Sequence, residues 1–122
     1  MLNIEDYRNY CLAKKEVTEH FPFDEDVLVF KVCNKMFALA SLSKWESGEG
    51  FINLKCDPEY ALELRATYDS IKAGWHMSKK QWNSVHFSSG ELSTALIFEL
   101  IDHSYDEVVK GLPKKSRDLL SK

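Results

Sequence analysis

The sequence predicts an α+β fold of two layers, one antiparallel sheet with helices packed on one of its faces. Three observations predict it. Runs of β-branched and aromatic residues, above all Val27-Leu28-Val29-Phe30-Lys31-Val32, are separated by short polar turns in the manner of strands. Segments with apolar residues three and four apart flank those runs. The order helix, strands, helix, strands, helices is that of an α+β domain.

Each element has a local reason. Residues 4–14 place Ile4, Tyr7 and Cys11 at helical spacing, with Asn3 as N-cap and Glu5 and Asp6 in the first turn, where the helix dipole favours acids. Residues 17–23 are a short extended piece stopped by Pro22, and Asp24-Glu25-Asp26 is a polar turn. Strand 27–32 turns back through Cys33-Asn34, a two-residue hairpin in which Asn34 tolerates the left-handed conformation, into strand 35–41. Residues 46–50 form a flexible turn before strand 51–55, which completes a meander. Asp57-Pro58-Glu59 then starts a helix by three signals: a capping Asp, a proline at the first position and an acid in the first turn. Ala61, Leu64 and Tyr68 carry that helix to about residue 69. Segments 71–74 and 82–87 are further strands, and Ser88-Ser89-Gly90 is a turn. Leu92, Leu96, Leu100 and Ile101 mark a helix over about 91–103, and Ser104-Tyr105-Asp106-Glu107 has the capping-box form that starts another, closed by Gly111 and Pro113.

With 122 residues, 44 % of them hydrophobic, the chain has the size and core of one domain over residues 1–122. No apolar run approaches the roughly 20 residues that span a bilayer, and the N-terminus lacks the basic-then-apolar pattern of a signal peptide. A cytoplasmic protein is expected, with no membrane partner. Cys11, Cys33 and Cys56 make no CxxC and are expected to be reduced structural thiols. Asp24-Glu25-Asp26 offers hard oxygen ligands to a divalent cation but reads first as a solvated turn, and Cys56, His76, His86 and His103 are too loosely spaced for a zinc site, so no metal and no other cofactor is expected. The net charge of −3, from 16 basic and 19 acidic residues, weighs against a dedicated nucleic-acid binder. The charge is unevenly spread, however. Residues 71–90 hold Lys72, Lys79 and Lys80 and no acid.

That stretch contains Gly74-Trp75-His76-Met77-Ser78-Lys79-Lys80-Gln81-Trp82-Asn83, aromatic rings interleaved with cations beside a turn. Cations meet phosphate and rings stack on bases, so the pattern suits nucleic acid. The plainer reading is a tryptophan core with a solvated lysine rim. Trp82, inside a strand, reads as a packing residue, whereas Trp75 admits both readings. His76 either touches phosphate or a base, or braces the turn by a hydrogen bond to the backbone. Asn83 reads as a turn or edge-strand brace before it reads as an adenine contact. Lys35 and Lys55 extend the cationic set, while Lys31 and Lys55 equally fit inward-leaning charges that guard an edge strand. Cys56 precedes a helix start, which favours a thiolate, but Asp57 opposes one and no histidine is placed as its base.

Phe21-Pro22-Phe23-Asp24-Glu25-Asp26, Val29-Phe30-Lys31-Val32, Lys35-Met36-Phe37-Ala38, Asn53-Leu54-Lys55-Cys56-Asp57-Pro58-Glu59, the 74–83 block and Ser104-Tyr105-Asp106-Glu107-Val108-Val109 occur in an order and spacing that resemble the MmcQ/YjbR family of small bacterial proteins. The resemblance runs from about Ile4 to Leu112. It implies a CyaY-like α+β fold and DNA binding through a double-wing arrangement of β-hairpins, and it brings no catalytic mechanism. One departure is Cys33-Asn34, where glycines are expected in that hairpin. The combined expectation is a non-enzymatic DNA-binding protein of low sequence specificity. Lys72, Trp75, His76, Lys79 and Lys80 are its contacts, with Lys35 and Lys55 in support. A protein-interaction module using the same aromatics is the alternative, and a small-ligand domain the third.

Overall fold

In the computed structural model, which describes residues 2–121, one six-stranded antiparallel sheet carries five helices. The helices are α1 (Ile4–Leu12), α2 (Leu42–Glu46), α3 (Pro58–Thr67), α4 (Thr94–Lys110) and α5 (Lys114–Leu120). The strands are β1 (Val17–His20), β2 (Val27–Val32), β3 (Lys35–Ser41), β4 (Phe51–Lys55), β5 (Ile71–Ala73) and β6 (Trp82–His86), ordered β1-β2-β3-β4-β6-β5 across the sheet. The expected α+β architecture and the meander of the first strands are both present.

Alternation sorts each strand into two faces. Leu28, Phe30 and Val32 of β2, Ala38 and Ala40 of β3, Ile52 and Leu54 of β4, and Val85 of β6 join the core beneath the helices. The register slips between Phe30, paired with Ala38, and Lys31, paired with Met36. Phe37 is therefore an extra residue in β3, a β-bulge, and it enters the same core as its neighbour Ala38. Helix α4 lies across β2, β3 and β4 and buries Ile97, Leu100, Ile101, Ser104 and Val108. Helix α1 presents Tyr7 and Cys11 to that core and is tied to α4 by the Tyr10 hydroxyl, which donates to Asp102 at 2.7 Å. The edges are β1 and β5. Exposed Thr18 and Glu19 keep β1 polar, with Arg8 of α1 paired to Glu19, a protected edge.

The capping expectations hold at both early helices. Asn3 accepts from the Asp6 N–H at 2.8 Å, and Asp57 accepts from the Tyr60 N–H at 3.1 Å. The Cys33-Asn34 hairpin also forms, with positive φ of 46° and 68° at its two residues, the signature of a tight I′-type turn. The C-terminal helices differ from expectation. Helix α4 runs unbroken through Ser104 and begins after a different cap, Ser93, which accepts from the Leu96 N–H at 3.0 Å. The Ser104 hydroxyl is fully buried: it donates to the Phe37 carbonyl at 2.5 Å and accepts from the Lys55 N–H at 2.8 Å. A tertiary demand on that hydroxyl thus replaces the capping box. Helices α2 and α5 were not expected. Helix α2 starts on Ser41, whose hydroxyl caps the Lys44 N–H at 3.3 Å.

Candidate nucleic-acid interface

Among the described residues no helix packs on the other face of the sheet. Val29, Leu39 and Trp82 form a small buried cluster there, flanked by Val27, Met36 and Met77. Phe51, Asn53 and Lys55 of β4, Ser84 and His86 of β6, and Lys72 of β5 share this face by alternation. The loop 74–81 folds back over it. Gly74 makes the return possible: its N–H donates to the Trp82 carbonyl at 2.8 Å, and a Cβ there would lie 2.7 Å from that of Trp82.

Two buried polar side chains hold the loop on the sheet. Ser84 donates to the Asn53 side-chain carbonyl at 2.5 Å and accepts from the Trp75 N–H at 2.9 Å. The Asn53 amide donates to the Trp75 carbonyl at 3.1 Å. Both backbone groups of Trp75 are thereby fixed, yet its side chain is 53 % exposed. Its ring meets Phe51 edge-on at 5.8 Å and lies 4.3 Å from the His76 ring. The Lys44 ammonium sits 5.3 Å over it, a cation–π contact. The far end of the loop is held by Arg65 of α3, which donates to the Asn83 side chain at 2.6 Å, to the Trp82 carbonyl at 3.1 Å and to the Lys79 carbonyl.

Trp75 divides two clefts. One, of about 310 Å³, is apolar and is lined by Phe23, Val27, Leu39, Phe51, Trp75 and Met77, among others. The second, of about 280 Å³, is lined by Lys44, Phe51, Lys72, Trp75, Ser84 and His86. Burial, then the charge of Lys72, holds the His86 imidazole below its ordinary pKa.

The seven expected site residues divide into groups. Lys72, Trp75 and His76 are exposed and border these clefts. Lys79 and Lys80 are exposed on the α3 side of the loop, around a separate cleft with Glu59 and Arg65. Lys35 is exposed and follows the hairpin tip, and half-buried Lys55 pairs with Trp82, so both lie at the sheet end that carries the loop. The β1–β2 pairing continues to the base of that tip, where the Cys33 N–H donates to the Glu16 carbonyl at 3.2 Å, and Asn34 is exposed. Neither Lys31 nor Lys55 guards an edge, since β2 and β4 are interior strands. Among the described contacts the His76 ring makes no hydrogen bond to the backbone. It lies against Trp75 instead, from a left-handed backbone of φ 58°. Asn83 is buried on interior strand β6 as the receptor of Arg65, out of reach of a base edge.

Two further candidates resolve into structure. Asp26 accepts from the Ser41 hydroxyl and the Ser43 N–H, which anchors the start of α2 and lowers its pKa. Among the described residues no group of His, Cys, Asp or Glu is arranged to hold a metal ion. Burial, reinforced by Asp57, pushes the Cys56 thiol up to about 12, so the thiolate that a helix start favours is suppressed. All three cysteines are free. No helix among the described residues is long and apolar enough to cross a membrane.

Lys44, Asn53, Ser84, His86 and Arg65 escaped sequence reasoning as parts of this site. The available signal was the polar interruption of two apolar strands, Asn53 in Phe51–Lys55 and Ser84 in Trp82–His86.

A six-stranded antiparallel sheet with helices on one face and a pinned aromatic loop on the other defines a small α+β class. The chain belongs to the YjbR family, whose family model matches residues 12–107. It is 43 % identical over 97 residues to the uncharacterized protein YbdF of Escherichia coli O157:H7, covering 80 % of this chain and 76 % of that one. It is 29 % identical over 119 residues to the uncharacterized protein YjbR of Escherichia coli strain K12, covering 98 % of both. Among solved structures, the Deinococcus radiodurans protein DR2400, described as a DUF419 domain, superposes with a TM-score of 0.87 at 35 % identity, over 99 % of this chain and 89 % of that one. A Pseudomonas syringae protein superposes with a TM-score of 0.72 at 26 % identity, over 87 % of this chain and 98 % of that one.

Proposed function

We propose that this is a non-enzymatic, cytoplasmic DNA-binding protein of low sequence specificity, which uses the uncovered face of the sheet and the 74–81 loop. One observation carries the reading: the acid-free stretch 71–90 keeps Lys72, Trp75, His76, Lys79 and Lys80 exposed around the uncovered face of the sheet. Lys35, Lys72, Lys79 and Lys80 would contact phosphates. Low specificity is the expectation because lysine contacts to phosphate carry no sequence information, and Asn83 is buried against Arg65. If the four lysines each neutralise one phosphate, log K for duplex DNA falls with log salt at a slope of roughly −3.6, and Lys79→Ala with Lys80→Ala reduces that slope by about 1.8. Binding to duplex and single strand alike undetectable at low salt, or insensitive to salt, contradicts the proposal.

The apolar cleft favours a second reading, a protein-docking surface. Phe21 and Phe23 are 49 % and 63 % exposed, and Phe23 lines the cleft with Trp75 and Met77. A stoichiometric protein complex that survives nuclease and is lost on Phe23→Ala would select it.

A further inference from the structure

We propose that Trp75 is a stacking platform for an unpaired nucleobase, with Lys44 and Lys72 receiving the adjoining phosphate, so that the surface prefers single-stranded to duplex nucleic acid. The inference rests on the nucleic-acid reading above and names the form of the ligand.

Trp75 is held, and its ring, flanked by Phe51, His76 and Lys44, is still 53 % exposed. Ser84 and Asn53 fix its N–H and its carbonyl, and both of those side chains are more than nine-tenths buried. A ring so placed meets a planar partner at little conformational cost. The two clefts beside it differ as the two parts of a nucleotide differ. The larger, of about 310 Å³, offers Phe23, Met77 and the indole to an apolar base face. The smaller, of about 280 Å³, offers Lys44, Lys72 and His86 to an anion, and among the described residues no carboxylate lines either cleft. Lys44, on α2, contributes a cation that the 71–90 stretch does not contain.

A duplex presents phosphates and base edges, whereas its base faces are stacked inside. A platform serves only a base whose face is free. Groove readers reach in with a projecting element, but here the Cys33-Asn34 tip is a tight two-residue turn and the 74–81 loop lies down on the sheet. Aromatic stacking beside a cationic track is the arrangement that binds single strands without reading their sequence.

The test is fluorescence anisotropy at low salt with a labelled mixed-sequence 12-nucleotide strand. Its blunt-ended duplex, a mononucleotide and inorganic polyphosphate serve as the other arms. The strand is expected to bind at least tenfold tighter than the duplex. Trp75→Ala should weaken strand binding by about 5- to 100-fold, with Trp75→Phe retaining most of the affinity. Lys44→Ala with Lys72→Ala should flatten the single-strand salt slope by about 1.4. Circular dichroism of each variant establishes that it is folded. Duplex bound as tightly as the strand, with no effect of Trp75→Ala, overturns the platform and leaves DNA binding standing. Polyphosphate bound as well as the strand overturns the stacking role. Mononucleotide bound as tightly as the strand assigns the platform to free nucleotides and overturns the strand preference. Failure to bind either strand or duplex overturns this inference together with the function it rests on.

Discussion

On the helix side of the sheet, Phe30, Phe37, Ile52, Leu54 and Val85 are sealed beneath α4 and its neighbours. On the other side, Val29, Leu39 and Trp82 are buried mainly by one another, with Met77 of the returning loop packed against them. Both sides are apolar, but they place polar groups differently. The helix side admits Ser104 to join helix to sheet. The open side uses Asn53 and Ser84 to position a loop whose most conspicuous side chain is left in solvent. Burial without a covering layer, spent on holding an exposed ring still, separates a surface organised for contact from a core organised for folding.

The largest effect should come from the bulge residue. Phe37→Ala empties a fully buried site where the ring meets that of Tyr105 at right angles, with an expected loss of about 3–5 kcal/mol in urea unfolding. Leu39→Ala, on the open face beside the apolar cleft, should lose about 2 kcal/mol, the low end of the range, because neighbours and water can relax into the space. Equal losses would erase the distinction between the two faces.

The next comparison sets one serine against the other. Ser104→Ala leaves the Lys55 N–H and the Phe37 carbonyl without their interior partner, for a loss of about 2–3 kcal/mol. Ser84→Ala removes the partner of Asn53 and of the Trp75 N–H nearer the surface and should lose about 1–2 kcal/mol. Its more telling effect is on amide hydrogen exchange, which should rise at Trp75 and His76 and stay unchanged in α4. Exchange rising throughout the sheet would mean that the serine supports the core rather than the loop.

Sequence reasoning reached most of this architecture because its signals are local. β-branched runs make strands, and Asp57-Pro58-Glu59 starts a helix whatever lies around it. It also placed Trp82 inward and Lys79 and Lys80 outward. It failed where a side chain answers to something distant in sequence. Ser104 has the form of a cap, but its hydroxyl is engaged by residues 67 and 49 positions away. Helix α2, five residues long, is too short to show periodicity and depends on Asp26 and Ser41. The candidate site was legible as a cluster but not as a geometry. Nothing in one dimension sends Lys44 over Trp75, splits Lys72 from Lys79 and Lys80, or commits Asn83 to Arg65.

The smallest effect on stability is expected where the effect on binding is greatest. Trp75→Ala removes an edge-on contact with Phe51 and the contacts with His76 and Lys44, all around a ring that is half in solvent. An aromatic pair contributes about 0.5–1.5 kcal/mol beyond its buried area, and a partly solvated one falls at the low end. The anchoring bonds to Ser84 and Asn53 come from the backbone and survive the substitution. Urea unfolding of Trp75→Ala should therefore show a loss below about 1 kcal/mol, close to the range of ordinary surface changes. A loss above about 3 kcal/mol would place Trp75 with Phe37 as a folding residue. The open face would then be a second core lacking its cover, and the preserved exposure of the ring would have no use in recognition.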